Sequence, residues 1–169
     1  LGYVRGLLLS VVLIPVVAAG CRGGSDETTM GVESTVDQQP PSKPDYVEVA
    51  DVICTNHQSR REDLESQASD LGPIDSAAKA RRIADLLRKE SRNLTAEYQE
   101  LEALQPPADL APVAFFSGIR ARARLIRDWA GAYDDLDGAQ IRRLRIRLGV
   151  ITAATEERAL AFGFNACGR

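Results

Sequence analysis

From Tyr46 onward, apolar and small residues recur every three or four positions. Tyr46, Ala50, Ile53, Leu64, Ala68 and Leu71 mark one helical face, and Ala80, Ile83, Leu87, Leu94, Tyr98, Leu101 and Leu104 a second. Phe116, Ile119, Ala123, Ile126, Ala130 and Tyr133 form a third. Ile141, Leu144, Leu148, Ile151, Thr155, Ala159 and Phe162 form a fourth. This spacing puts each set on one side of an α-helix. No stretch sustains the two-residue alternation of a half-buried strand.

The boundaries agree with four helices. An aspartate stands before each: Asp45, Asp75, Asp109 and Asp137. Its carboxylate can accept from free first-turn amides and suits the positive end of the helix dipole. Glu48 and Gln140 lie at capping-box distance from Asp45 and Asp137, and Leu136 and Ile141 flank the last cap like a hydrophobic staple. Gly72-Pro73, Pro106-Pro107 and Gly163 supply stops. Gly118 and Gly131 are weak points inside the third helix unless close packing requires them. Short connections then predict an all-α, up-down-up-down four-helix bundle over residues 45–169.

The first 44 residues follow another pattern. Arg5 precedes a short apolar run, Gly6 to Val17, which leads through Ala18-Ala19-Gly20 into Cys21. The run is shorter than the roughly 20 apolar residues of a membrane span. Its order resembles the signal peptide and lipobox of bacterial lipoproteins. The resemblance implies cleavage between Gly20 and Cys21, a lipid on Cys21, and an extracytoplasmic domain anchored to the bacterial cell membrane. Residues 1–20 are then the signal peptide. Residues 21–44, rich in Gly, Ser, Thr and acidic residues with Pro40, Pro41 and Pro44, read as a flexible tether. A coil of this length reaches about 25 Å.

That compartment changes the meaning of the cysteines. With Cys21 assigned to lipid, Cys54 and Cys167 remain as an even pair in an oxidising environment, where the simplest reading is a disulfide. In the expected topology the start of the first helix and the end of the fourth meet at one end of the bundle, so staple and topology support each other. The chain carries a net charge of −3. An acidic exported domain lacks the basic footprint of a nucleic-acid binder.

Candidate chemistry is sparse. Thr55 to Glu62 interrupts the apolar face of the first helix with polar residues. If it lines a cleft, Asn56, His57, Arg60 and Arg61 are the candidate ligand-binding residues, with an arginine holding an anionic group by paired hydrogen bonds. His57 is the only histidine. One reading makes it a metal ligand with Cys54 and Cys167; the other makes it a hydrogen-bonded core residue beside a disulfide, and the shortage of further ligands favours the second. The single histidine also removes Glu-x-x-His di-iron chemistry, Cys-x-x-Cys-His haem attachment is absent, and no catalytic residues or cofactors are assigned. Asp134, Asp135 and Asp137 resemble a weak calcium cluster only loosely. Arg120, Arg124 and Arg127, with Arg142, Arg143, Arg145 and Arg147, make solvated faces that could meet anionic headgroups or polymers.

The expectation is therefore a non-enzymatic envelope lipoprotein that binds, senses or scaffolds. It is anchored to the membrane by lipid on Cys21, with an envelope protein or cell-wall polymer as possible partner and no nucleic acid. The alternative is a small-ligand or metal-binding bundle using the polar middle of helix one around His57.

Overall fold

A computed structural model describes residues 41–106 and 112–167. The lipobox, the cleavage site, Cys21 and residues 21–40 of the tether lie outside the described residues, as does the expected cap Asp109. Four helices follow one another: α1 (Lys43–Asp70), α2 (Ala77–Ala103), α3 (Val113–Asp134) and α4 (Gly138–Phe162). They pack as the expected all-α bundle, α1 on α2, α2 on α3 and α3 on α4.

The caps differ from expectation at three helices, α3 having Pro112 rather than Asp109 at its N-cap and no side-chain cap bond. Ser42, not Asp45, caps α1, and its hydroxyl accepts from the Asp45 amide at 3.4 Å. Pro44 then sits in the first turn, where its missing N–H leaves no bond unmade. Ser76, not Asp75, caps α2 by accepting from the Lys79 amide, while the Asp75 carboxylate takes the Lys79 ammonium at 3.0 Å. A short hydroxyl reaches the first-turn amides as well as a carboxylate does, so the residue adjoining the helical run wins. Asp137 caps α4 as expected, accepting from Ala139 and Gln140. The staple does not form: Leu136 is 58% exposed with φ +54°, and only Ile141 packs inward.

The main core joins all four helices through Tyr46, Ala50, Leu94, Leu101, Phe115, Ile119, Ile126 and Ala159. One close approach fixes the α3–α4 spacing. A Cβ on Gly118 would lie 2.4 Å from Thr155 Oγ1, so this helix crossing needs glycine, whereas Gly131 faces open space. A smaller cluster of Leu125, Ala132 and Leu144, with Trp129 and Ile141 against it, ties α3 to the start of α4.

Among the described residues, α1 and α4 bring no Cα pair within 8 Å. The C-terminal segment closes the bundle instead. Gly163 ends α4 in the left-handed conformation at φ +110°, and the amides of Gly163 and Phe164 bond back to Leu160 and Ala159. That reversal drops Phe164 into the core, 5.1 Å from the Phe115 ring and 6.1 Å from Tyr46. Cys167 then bonds to Cys54 across a sequence separation of 113 residues. Asp51 holds the same turn, its carboxylate accepting from the backbone amides of Asn165, Ala166 and Cys167.

Candidate functional site

Between α1 and α4, in the half of the bundle away from the disulfide, lies a cavity of about 440 Å³. All four helices line it. Arg61, Leu64, Glu65 and Ala68 come from α1, and Ile83, Leu86, Leu87 and Glu90 from α2. Arg122, Ile126, Trp129 and Tyr133 come from α3, and Leu148 and Thr152 from α4. Its volume falls within the roughly 300–1,000 Å³ of small-molecule sites, and its few polar groups on an apolar wall match their usual make-up.

Those polar groups are buried and poorly matched to one another. Glu90 is 9% exposed, yet neither carboxylate oxygen has a hydrogen-bond partner. Arg61 Nη1 approaches Glu90 Oε1 only to 4.0 Å. Arg61 Nη1, Arg122 Nε and Trp129 Nε1 are likewise buried without acceptors. Burial pushes the Glu90 carboxyl above its ordinary range, against the pull of Arg61 and Arg122. Glu97, behind it on α2, is raised by burial in the same way. Burial lowers the Arg122 guanidinium, and the like charge of Arg61 adds to that. Leaving a buried polar atom unpaired costs about 1–3 kcal/mol, so a concentration of such atoms around one cavity is a costly feature of the fold.

His57 stands beside this cluster but does not line the cavity. The ring is fully buried. The Asn93 side-chain amide donates to the His57 carbonyl at 3.0 Å, which turns Asn93 Oδ1 toward His57 Nδ1 at 2.8 Å. A carbonyl can only accept, so Nδ1 carries the proton and donates to Asn93. Nε2 lies 3.2 Å from Glu100 Oε1 but is misaligned for a hydrogen bond.

The structure divides the four candidate ligand residues of α1. Arg61 borders the cavity and His57 anchors α1 to α2. Asn56 and Arg60, one position earlier in each case, fall on the exposed side of the helix and touch neither. The expected disulfide is formed, which takes both sulfurs away from the metal reading of Cys54, His57 and Cys167. Among the described residues, no group of three potential metal ligands comes together. Two of the three aspartates of the α3–α4 turn have other partners: Asp134 pairs with Arg88, and Asp137 caps α4. Arg120, Arg124, Arg127, Arg142, Arg143, Arg145 and Arg147 are exposed.

Glu90, Arg122 and Trp129 were not among the sequence candidates, although the first two carry a readable signal. Leu87, Glu90, Leu94, Glu97 and Leu101 alternate by three and four, so both glutamates sit on the inward seam of α2. Arg122 falls between Ile119 and Ile126 on the corresponding seam of α3. Among the described residues, no helix is long and apolar enough to cross a membrane. No protein-family model, curated protein or solved structure matches this chain.

Proposed function

We propose that this protein is a lipid-anchored, extracytoplasmic binding protein of the bacterial envelope that holds a small ligand between its helices, without catalysing a reaction. The observation that carries the binding role is the cavity between α1 and α4, apolar in its walls and bordered by buried polar atoms that nothing in the chain satisfies. The Cys54–Cys167 bond supports an oxidising compartment, and the lipobox-like Ala18-Ala19-Gly20-Cys21 supports an anchor on Cys21. Chain entry at Lys43 lies at the stapled end, so a tether would present the cavity half away from the bilayer.

Native mass spectrometry of the protein extracted from membranes tests this reading. The expected spectrum shows a diacyl or triacyl adduct on Cys21 and a further, noncovalent mass. Cys54 and Cys167 are alkylated only after reduction. Leu87→Trp, which fills the cavity from α2, is expected to lose the noncovalent mass and keep the adduct. An unlipidated chain overturns the anchor. A noncovalent mass that survives Leu87→Trp, or none in the unaltered protein, overturns the binding site.

A further inference from the structure

Resting on the cavity as a ligand site, we infer that its ligand is an amphipathic anion, a carboxylate-type headgroup on an apolar body. The orphaned atoms decide the headgroup. Three residues of the cavity wall carry a buried donor without an acceptor: Arg61 Nη1, Arg122 Nε and Trp129 Nε1. They come from α1 and α3. A headgroup with two or three acceptor oxygens supplies the partner type that all three lack, and guanidinium and carboxylate are matched in shape and charge. A cationic headgroup could bond to Glu65 or Glu90 but would face two arginines.

Glu90 is consistent with an anion. Its oxygens stand 4.0 Å or more from Arg61 Nη1, too far for a hydrogen bond, so it does not occupy the guanidinium face. Burial pushes the Glu90 and Glu97 carboxyls above their ordinary range, the direction that weakens their competition for the arginines. Past the headgroup, Leu64, Leu87, Ile126 and Leu148 supply an apolar sleeve for the rest of the ligand. Burying that body contributes roughly 25 cal/mol for each Å² removed from water, and the headgroup fixes its direction.

The only tryptophan of the chain lies in the cavity wall, so its emission reports the site directly. The full chain in phosphatidylcholine vesicles is titrated with octanoate, 1-octanol and octylamine, three probes sharing one apolar body, with protein-free vesicles as the blank. Octanoate is expected to shift Trp129 emission saturably. The alcohol and the amine are expected to bind at least about tenfold more weakly, the factor for losing a charge-assisted bond. Arg122→Gln is expected to weaken octanoate by at least the same factor, and Arg61→Gln gives an independent second test if Arg122→Gln does not fold.

Octylamine or octanol binding as tightly as octanoate overturns the anion inference. So does unchanged octanoate affinity in whichever arginine variant is folded. Failure of all three probes overturns it too, yet leaves the cavity reading to the noncovalent mass and Leu87→Trp, so the two failures are distinguishable.

Discussion

The two ends of this bundle are held by different physics. At the end where α1 begins and α4 finishes, Tyr46, Phe115, Phe162 and Phe164 pack ring against ring, Asp51 gathers the last backbone amides, and a covalent bond crosses the gap. Toward the other end, α1 and α4 stand apart, and the space between them is bordered by arginines and a glutamate that do not complete one another's hydrogen bonds. One end is closed by aromatic packing, a carboxylate on the last amides and a covalent bond. The other keeps a cavity and unspent hydrogen-bonding capacity. A covalent lock at one end lets the other tolerate an unfavourable interior, because the bundle's register no longer depends on packing there.

The largest way to break that contrast is to cut the lock. Replacing Cys54 and Cys167 together by Ala is expected to cost about 4–5 kcal/mol, the chain-entropy value for a loop of this length. Urea unfolding measures it, and hydrogen exchange should rise first in the early turns of α1 and at residues 164–167. A loss spread evenly over both halves would mean that the stapled end is not a separate unit of stability.

Asp51→Ala tests the same end without touching the disulfide. It strands three backbone amides and should cost about 2–3 kcal/mol, the scale of hydrogen bonds to a charged group. A stability unchanged within error in thermal unfolding would show that water replaces the carboxylate freely.

Gly118→Ala probes the α3–α4 crossing that both halves share. Its Cβ would meet Thr155 Oγ1 at 2.4 Å, so overpacking should cost about 1–3 kcal/mol. Gly131→Ala, with nothing within 4 Å, is the contrasting control and should stabilise by up to about 1 kcal/mol through helix propensity. Equal effects at the two glycines would refute the close approach.

The smallest expected effect sharpens the picture of the open half. Because burial raises the Glu90 carboxyl, the folded chain binds this proton more tightly than the unfolded chain does. The cost of the buried charge is fully present above the raised value and is relieved as pH falls through it toward the ordinary value of 4.5. The parent protein should therefore gain stability on mild acidification. Glu90→Gln should be more stable near neutral pH and gain less on acidification, and Glu97 should supply the remaining slope in the same direction. Chemical unfolding at several pH values measures both, and a parent-like slope in Glu90→Gln would exclude it as the source.

Much of the architecture was legible in the chain. The period of apolar residues placed all four helices, and the odd-even arithmetic of the cysteines found the disulfide. Caps were read less well, because Ser42 and Asp45, or Ser76 and Asp75, compete for the same amides and only the path of the backbone chooses between them. Of the four candidate ligand residues, only Arg61 lines the cavity. A polar interruption on α1 pointed to His57 and Arg61, but adjacent Asn56 and Arg60 cannot share their face, since neighbours on a helix are turned about 100° apart. Glu90 and Arg122 were hidden in plain view as charges on apolar seams.

By itself the sequence determined which residues become helices, which face of each turns inward, and which two sulfurs can meet. These follow from local periodicity and counting. Only the tertiary structure decided that α1 and α4 stay apart and that Asp51 organises the C-terminal turn. It alone brought Arg61, Glu90, Arg122 and Trp129 to one cavity. Those outcomes depend on distances between residues tens of positions apart, and periodicity along a chain carries no information about how far apart two helices come to rest.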